Sequence, residues 1–550
     1  MERLTVVIIL TFTLLFSQVT ISQGQNLEER FDKVLNEQNF EDGPGFSVLI
    51  AKDGQVIYRK SFGYANLELD VKLKPEHIFR IGSITKQFTA CAILKLEEEG
   101  KLSLQDDITK FIEDYPTHGH TITIEHLLTH VSGIKSVTSM KEATPETMKR
   151  EFKTAEIIDF FKNEPMDFAP GEQYLYNNSA FIILGYIIEI ITGLTYIEYL
   201  NEQFFEPLGM ENTFYGSNTR IIKNRASGYQ KRDGKLINAE YMSMTLPHGA
   251  GALISTVDDI KTWYYAVMND KVISKENREK AHSSYKLNNG KPTGYGYGWS
   301  LGNVQEYKTV GHGGGINGYL TSSIFIPEKD IFVAVFSNCN CNPPGITALK
   351  LAAIAVGKPF DWKEKKVNKK ELEEYIGVYE SKDDGTRTLK MKNDSLMYVF
   401  PEGMEKRLIP FKKDKFFVDD WLTRFVFNRD KKGKIFSLTA YGTGYKPVTR
   451  EKTDKPVEIK KDAELSEEQL EKYTGKYELM PDFILTISRE GKRLFVQATG
   501  QSRGEIYASE LHKFYSKDVN AQFIFNLNNN KKVIGLTLIQ NGEHKAKKIE

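Results

Sequence analysis

The chain has 550 residues, of which 40% are hydrophobic and 27% charged, which is the composition of an ordinary globular protein. It has 74 Lys and Arg against 73 Asp and Glu residues, so the formal net charge is +1 and nothing electrostatic favours a nucleic-acid partner. Three cysteines are too few for a disulfide scaffold or a four-thiolate zinc site. At roughly 100–200 residues per domain, the length predicts several domains.

Residues 1–24 have the pattern of a signal peptide. Arg3 precedes the apolar run Leu4–Phe16, and Ser17–Ser22 supplies small residues before a predicted cut near Ser22 or Gly24. The apolar run has about 13 residues, short of the roughly 20 that a membrane-spanning helix needs. We therefore expect a periplasmic or secreted protein with no membrane span after signal removal. An uncleaved anchor is the alternative.

The region after the signal, residues 25–358, is predicted to be an α+β domain. A helix at Leu27–Phe40 is followed by a β-hairpin, Gly45–Lys52 and Gln55–Gly63, with Asp53-Gly54 as its turn. Strands at both ends enclose the helices, which favours an antiparallel sheet flanked by helices over a doubly wound sheet. The later predicted elements are three helices (Ser83–Leu104, Ile122–His130, Ala180–Leu200), two strands (Leu320–Pro327, Ile331–Asn338) and a helix (Ile346–Val356).

The remainder of the chain is predicted to contain a repeat. Residues 359–370 form a charged stretch without a core pattern, which we interpret as a linker. After it, Leu372–Tyr379 is echoed by Leu470–Tyr477, and each copy continues into short alternating strands separated by turns. We therefore predict two tandem all-β units at residues 371–460 and 461–550, each a small barrel or sandwich. Two long copies are too few for a solenoid.

Ser83-Ile-Thr-Lys86 is the first motif that could carry chemistry. Residues three apart share a helix face, so the Ser83 hydroxyl and the Lys86 amine can lie side by side. A serine at a helix N-terminus also lies near free backbone N–H groups that can stabilise an oxyanion. Ser132–Lys135 and Ser283–Lys286 have the same spacing. A helix N-cap is therefore the alternative role for Ser83.

Two further motifs give the serine a setting. Tyr176 and Asn178 lie where a loop enters a predicted buried helix. The Tyr176 phenol, if near a lysine, can take a proton from serine. The Asn178 amide can bind a substrate carbonyl and the lysine. His312, Gly314 and Gly315 belong to a glycine run that leads into a strand, where a ligand can approach the backbone closely. The alternatives are an interface aromatic for Tyr176 and a plain loop with a solvated His312.

In the order Ser-x-x-Lys, Tyr-x-Asn, His-x-Gly, these motifs resemble the serine β-lactamase and penicillin-binding protein superfamily, specifically its class C β-lactamase-related branch. The resemblance implies an antiparallel sheet packed with helices beside a largely helical lobe, with the site in the groove between them. The two repeats are similar to the lipocalin-like β-barrels appended to D-aminopeptidases of this branch. Further segments that resemble the family are Glu98–Asp107, Ile124–Gly133, Glu206–Met210, Ser255–Asp259 and Gly311–Asn338.

The resemblance also implies roles for individual residues. Ser83 would be the acylated nucleophile, and Lys86 and Tyr176 would share the proton transfers. Asn178 would orient Lys86 and the substrate amide.

The glycine run would supply the rest of the site. The backbone N–H groups of Ser83 and Gly315, next to Gly314, would form the oxyanion hole. His312 stands where penicillin-binding proteins usually carry a lysine, and potent β-lactamases favour lysine there to hold the substrate carboxylate. Since histidine is mostly neutral near pH 7, we expect weaker carboxylate binding and weak or no β-lactamase activity.

Two other patterns are weaker. Gly500–Gly504 fits Gly-x-Ser-x-Gly, but a nucleophile elbow needs a following helix and the segment runs into a strand-like Ile506-Tyr507. Cys339 and Cys341 lack two further well-spaced ligands for a metal, and their spacing predicts a strained mutual disulfide. We predict no metal and no organic cofactor.

These observations together predict an exported serine hydrolase. It would form an acyl-enzyme on Ser83 and act on amide or ester bonds of D-amino-acid-containing peptides. The alternatives are a small-ester carboxylesterase of the same fold and a non-catalytic protein that binds peptide or cell-wall fragments. The expected partner is a small peptide or ester substrate, and the sequence leaves the oligomeric state open.

Overall fold

The computed structural model describes residues 27–550, except residues 39, 233, 383, 402, 420, 458–461, 481–482 and 541. The predicted signal peptide therefore lies outside the described residues. Residues 236–360 form one compact unit with the described residues up to 231, and the chain after Phe360 belongs to a second unit.

A six-stranded antiparallel sheet forms the centre of the first unit. The strands before Phe360 are β1 (Phe46–Lys52), β2 (Gln55–Phe62), β3 (Tyr64–Asn66), β4 (Val71–Lys72), β5 (Phe79–Arg80), β6 (Phe214–Tyr215), β7 (Tyr229–Arg232), β8 (Lys235–Asn238), β9 (Leu253–Ser255), β10 (Ser300–Val304), β11 (Tyr307–Ile316), β12 (Tyr319–Ile326) and β13 (Ile331–Ser337). The central sheet has the order β10-β11-β12-β13-β1-β2. The first and last parts of the domain sequence thus meet in one sheet, as predicted.

The central strands of this sheet are covered on both faces. β1 pairs with β13 from Phe46↔Ser337 to Lys52↔Ile331, and almost every residue of both strands is buried. Such burial explains why β1 contains the unbroken apolar run Val48–Ala51 rather than an alternating pattern. The predicted hairpin from β1 to β2 is confirmed, and Asp53 and Gly54 turn with φ of 50° and 75°.

Helices pack on each face of the sheet. One face contacts α1 and α12, and the other contacts α2, α10 and the helical lobe. The helices of this unit are α1 (27–36), α2 (Thr85–Glu98), α3 (Ile124–Leu128), α4 (Pro145–Lys149), α5 (Thr154–Phe161), α6 (Asn178–Thr192), α7 (Tyr196–Leu200), α8 (Glu206–Leu208), α9 (His248–Gly251), α10 (Val257–Met268), α11 (Lys275–Ala281) and α12 (Gly345–Ala355). Short 3₁₀ turns lie at Gly82–Ile84, Ile108–Lys110, Val137–Ser139 and Pro327–Lys329, and a π-helical turn at Asn201–Phe205.

The long buried helix predicted at Ala180–Leu200 is two helices. Gly193 adopts a left-handed φ of 71° and ends α6, and the Thr195 side chain caps the start of α7. Among the described residues no single helix has the length and hydropathy to cross a membrane, although the bent pair Asn178–Thr192 and Tyr196–Leu208 meets that test by length and composition.

Cys339 and Cys341 form a disulfide directly after β13. The two cysteines that the sequence singled out are therefore joined, and the strain expected from their spacing stays a prediction. The chain turns after Ser337 and brings the two Cα atoms to 5.1 Å, within the usual range for a disulfide.

The second unit contains two closed eight-stranded antiparallel barrels. Short helices precede them, α13 (Lys369–Glu373) and α14 (Glu467–Glu471). The first barrel consists of β14 (Gly377–Ser381), β15 (Gly385–Lys392), β16 (Ser395–Val399), β17 (Glu405–Lys412), β18 (Lys415–Phe417), β19 (Arg424–Arg429), β20 (Ile435–Tyr441) and β21 (Val448–Thr453). The second consists of β22 (Gly475–Met480), β23 (Phe483–Glu490), β24 (Arg493–Ala498), β25 (Gly504–Glu510), β26 (Lys513–Ser516), β27 (Gln522–Leu527), β28 (Val533–Ile539) and β29 (Glu543–Lys548).

Part of the stretch interpreted as a linker packs on the first barrel. The Trp362 ring stacks on Phe411 with a centroid distance of 5.6 Å, and the Lys365 N–H donates to the Pro410 carbonyl at 2.7 Å. These contacts place at least residues 362–365 with the barrel.

The tyrosines that recur in the two repeats also make the same hydrogen bond in both barrels. The Tyr379 hydroxyl donates to the Tyr375 carbonyl at 2.9 Å, and the Tyr477 hydroxyl donates to the Tyr473 carbonyl at 2.7 Å. All four tyrosines are buried. The repeated Tyr-x-Gly-x-Tyr motif therefore fixes the first strand of each barrel to the residues just before it.

We expect Tyr379→Phe to destabilise the first barrel and Tyr477→Phe the second. Each substitution removes one buried hydrogen bond and keeps the ring, so the expected loss is about 1–2 kcal/mol of unfolding free energy. Hydrogen exchange with peptide-level resolution in increasing urea would measure each barrel separately, and each variant is the control for the other. Equal loss of protection in both barrels would contradict this account.

Candidate active site

The turn that carries Ser83 lies against the edge of a strand. Ser83 is in the 3₁₀ turn Gly82–Ile84, immediately before α2, close to the helix start that its motif predicts. Gly82 has a left-handed φ of 51°, and a Cβ on it would lie 2.8 Å from the Gly315 nitrogen. Glycine is needed at position 82 because the serine turn approaches β11 this closely.

Lys86 lies one turn further along and contacts the serine. Its Nζ is 3.2 Å from Ser83 Oγ, 2.8 Å from Asn178 Oδ1 and 2.9 Å from the Ala250 carbonyl. The side chain is fully buried, and burial lowers the pKa of the amine well below its ordinary value. None of its three neighbours carries a charge.

These contacts match the hydrogen-bonding capacity of a neutral amine. Two N–H groups of Lys86 can donate to Asn178 Oδ1 and the Ala250 carbonyl, which accept only. The remaining lone pair then faces the Ser83 hydroxyl, which can donate to it. The arrangement therefore allows Lys86 to accept the Ser83 proton.

Asn178 is positioned by the start of α6. The Asn177 side chain caps this helix by accepting from the Ala180 N–H at 3.0 Å, so that Asn178 becomes its first residue. The Asn178 Nδ2 donates to Thr138 Oγ1 at 3.1 Å, which directs Oδ1 toward Lys86. The structure thus brings together the Ser-x-x-Lys and Tyr-x-Asn motifs.

Tyr176 covers the other side of Lys86. Its ring centroid is 4.8 Å from Lys86 Nζ, and its hydroxyl is hydrogen-bonded to Ser83. The residue keeps 36% of its surface exposed, but burial around the hydroxyl raises the phenol pKa above its ordinary value, while the contact with Ser83 opposes the rise. The resting phenol is therefore protonated, which favours donation of its proton over the acceptance of the serine proton that the motif suggested.

His312 is buried beneath this site. The Tyr295 hydroxyl donates to His312 Nε2 at 2.9 Å, and Nδ1 donates to the Gly313 carbonyl. Burial lowers the His312 pKa to about 3, so the ring is neutral at pH 7. Both ring nitrogens are occupied within the protein, so the ring offers no free donor to a substrate carboxylate.

His130 and Tyr295 complete an aromatic cluster that the motifs did not identify. His130 has a left-handed φ of 60° and accepts from the Asn177 N–H through Nδ1 at 3.1 Å. Its ring centroid lies 4.3 Å from that of Tyr176 and 4.7 Å from that of Tyr295. The segment Ile124–Gly133 marked His130 as part of a family-like stretch, whereas no signal in the sequence connected Tyr295 to the site.

The glycine run holds β11 against the serine segment. A Cβ on Gly314 would lie 2.0 Å from the Ile81 carbonyl oxygen, and Thr321 Oγ1 donates to that same oxygen at 2.9 Å. Gly315, the next residue, is exposed and lines the cleft beside Ser83. Ser83 and Gly315 therefore line the same cleft, and the oxyanion hole formed by their N–H groups stays a prediction.

A cleft of about 190 Å³ opens in front of Ser83. Its side chains are mostly apolar or small, and none of the described lining residues is charged. They include Val137, Met148, Ile182, Met242, Leu246 and Ile316. The cleft is therefore suited to an uncharged, partly apolar group.

The remaining candidates lie elsewhere. Ser502 is followed by the strand β25 (Gly504–Glu510), as the sequence predicted, and not by the helix of a nucleophile elbow. Among the described residues, no group of three or more His, Cys, Asp or Glu side chains could hold a metal ion.

Comparison with known proteins identifies the family. The β-lactamase family model matches residues 31–357, and a model described as a domain of unknown function (DUF3471) matches residues 362–455 and 459–549. The chain belongs to the β-lactamase family, whose penicillin-binding protein relatives are serine hydrolases.

Individual relatives agree with this assignment. Penicillin-binding protein 4* of Bacillus subtilis is 29% identical over 399 residues, covering 68% of this chain and 87% of that protein. The octameric penicillin-binding protein homologue from Pyrococcus abyssi is 30% identical with a TM-score of 0.54, covering 78% of this chain and 99% of that one. D-amino acid amidase from Ochrobactrum anthropi, at 22% identity and a TM-score of 0.53, covers 60% of this chain and 98% of its own and shares the fold.

The close approach at Gly314 predicts different effects for two neighbouring substitutions. Gly314→Ala would force β11 away from the Ser83 turn, whereas a Cβ on Gly313 would meet only the Thr321 carbonyl oxygen, at 3.5 Å. Because a displacement of about 1 Å can reduce a rate by about 10²-fold, we expect Gly314→Ala to slow covalent labelling of Ser83 by that order. Labelling rates with a fluorophosphonate would test this.

Gly313→Ala is the matched control and should label at the rate of the unmodified protein. Thermal unfolding of both variants would verify that the folded protein is being compared. Equal labelling rates in two folded variants would contradict the proposed role of the close approach.

Proposed function

We propose that this protein is a hydrolase that forms an acyl-enzyme on Ser83 and cleaves amide or ester bonds of D-amino-acid-containing peptides. The observation that carries the proposal is the buried, uncharged setting of Lys86 against the Ser83 hydroxyl. The D-amino-acid preference is supported by the shared fold with D-amino acid amidase. The signal-like residues 1–24 support export to the periplasm or the medium.

The acylation step follows from the site geometry. Lys86 Nζ takes the Ser83 proton as Oγ attacks the substrate carbonyl carbon, and the Ser83 and Gly315 N–H groups stabilise the oxyanion. The protonated Lys86 and the Tyr176 hydroxyl then deliver a proton to the leaving nitrogen or oxygen. The bond from the carbonyl carbon to that atom breaks and leaves the acyl group on Ser83.

Deacylation reverses these roles. A water molecule gives a proton to the same groups as its oxygen attacks the acyl carbon. The proton returns to Ser83 Oγ as the ester bond to the enzyme breaks, which releases the acid. Neutral Lys86 and protonated Tyr176 are restored.

A small-ester carboxylesterase is the second candidate, and the lining of the cleft favours it. The described lining residues include no cation for a substrate carboxylate and no anion for a free α-ammonium group. The uncharged His312 adds no cation either. The same observation supports weak or absent β-lactamase activity. A purely binding role is disfavoured because Ser83, Lys86 and Tyr176 are all present and in contact.

A fluorophosphonate probe should label the protein at Ser83, and Ser83→Ala should abolish labelling. Ser502→Ala is the matched control and should label normally. Peptide mapping by mass spectrometry identifies the modified residue. A label on Ser502, or none on any serine of the folded protein, would contradict the proposal.

The same preparation distinguishes the two candidates by its turnover of D-amino-acid amides, D-Ala-D-Ala peptides, p-nitrophenyl esters and nitrocefin. The proposal predicts turnover of the D-amino-acid substrates and little or none of nitrocefin. Turnover confined to the esters would establish the carboxylesterase instead.

A further inference from the structure

The first barrel contains a buried arginine with unused hydrogen-bond donors. Arg450 on β21 is 2% exposed, and it lies opposite the core residue Leu438, so its side chain is on the interior face of the barrel. Nη2 forms an ion pair with Asp384, while Nε and Nη1 have no hydrogen-bond partner in the described part of the chain. Unpaired donors of a buried cation are costly unless another group satisfies them.

A second arginine belongs to the same end of the barrel. Arg387 on β15 lies opposite the core residue Tyr379 of the neighbouring strand β14. Its buried Nε also has no hydrogen-bond partner among the described residues. Its Nη2 lies 3.7 Å from the Asp384 carboxylate, the group that pairs with Arg450. Two guanidinium groups thus share the Asp384 carboxylate, and this one anion does not balance both of their charges.

Aromatic rings adjoin the two arginines. The Arg387 guanidinium lies 4.4 Å from the centroid of Phe400 and 6.0 Å from that of Tyr398. Trp421 contacts Phe400 with a centroid distance of 6.0 Å. Cations beside rings offer both charge and a flat apolar surface to a ligand.

The second barrel shows that the fold does not need these residues. When the two barrels are aligned by their strand registers, Ala546 occupies the position of Arg450, and Leu485 occupies the position of Arg387. By the same comparison, Tyr398 corresponds to Val496. The second barrel closes with the same eight-strand order.

A structural cation is present in both barrels at a different position. Lys452 donates to the Glu374 carbonyl, just before Tyr375, and lies over the Tyr379 ring. Lys548 makes similar contacts with the Thr474 carbonyl, just after Tyr473, and with the Tyr477 ring. Each lysine lies near the end of its barrel at which the short helix, α13 or α14, leads into the first strand. Arg450 lies further along β21, toward the turn between β14 and β15, and has no such counterpart.

We propose that this end of the first barrel, defined by Arg387, Arg450, Tyr398 and Phe400, binds a small organic carboxylate. The carboxylate oxygens accept from Nε and Nη1 of Arg450 and from Nε of Arg387, and the rings contact the organic part of the ligand. Binding is non-covalent and independent of Ser83. The second barrel, with Leu485 and Ala546 at the equivalent positions, does not bind such ligands at this end.

Calorimetric titration of the full chain carrying Ser83→Ala would test the proposal. The probes are acetate, phenylacetate, octanoate and N-acetyl-D-alanyl-D-alanine, with phenylacetamide as the uncharged match for phenylacetate. We expect at least one carboxylate to bind, phenylacetamide to bind more weakly than phenylacetate, and Arg450→Met to reduce carboxylate affinity by about tenfold or more. Comparing the affinities of the peptide and of octanoate shows whether the site prefers the carboxylate of a peptide C-terminus or that of an aliphatic acid.

Two further variants control the experiment. Arg424 also has a buried Nε without a partner among the described residues, but it precedes the core residue Phe425 and therefore lies on the outer face of its strand. Arg424→Met should leave affinity unchanged, because binding depends on the interior face and not on any unpaired arginine. Arg387→Leu introduces the residue that the second barrel has at this position, and it should weaken binding. This variant keeps the proposal testable if Arg450→Met proves unstable. The proposal is overturned if no carboxylate binds, if phenylacetamide equals phenylacetate, or if folded Arg387→Leu and Arg450→Met bind like the parent.

Discussion

The chemistry of this molecule depends on one buried amine held against one hydroxyl. Lys86 has no charged partner, and its acceptors Asn178 and Ala250 come from α6 and α9 respectively. Burial favours the neutral amine, and the two acceptors use its N–H groups, so that its lone pair is directed to Ser83. An anionic neighbour at this position would favour the protonated amine and so remove the base.

The rest of the first unit can be understood as the support of this contact. The 3₁₀ turn Gly82–Ile84 carries Ser83, and α2 holds Lys86 in the core directly after it. α6 presents Asn178, and the glycines of β11 allow the strand to lie directly against the serine turn. His312, His130 and Tyr295 pack beneath Tyr176 as neutral groups. This cluster adds no formal charge near Lys86, in keeping with a neutral amine.

Local patterns predicted most elements correctly, because the hairpin, the last two strands of the sheet and the repeat each depend on nearby residues. The three motifs also pointed to residues that the structure brings together. The break at Gly193 was missed because the apolar run continues through it, and the pairing of Cys339 with Cys341 depends on the turn after β13. Tyr295 joins the site only through tertiary packing. The contrast between Arg450 and Ala546 becomes visible once the strand registers align the two barrels.

The most direct measurement is the titration of the Lys86 amine itself. Lysine labelled with ¹³C at Cε reports the charge of each amine by NMR, and the signal lost in Lys86→Arg assigns residue 86. The account predicts that Lys86 titrates well below the ordinary lysine pKa of about 10.4 and is largely neutral where the enzyme is active. A Lys86 amine that stays protonated through the active pH range would contradict its role as the base for Ser83.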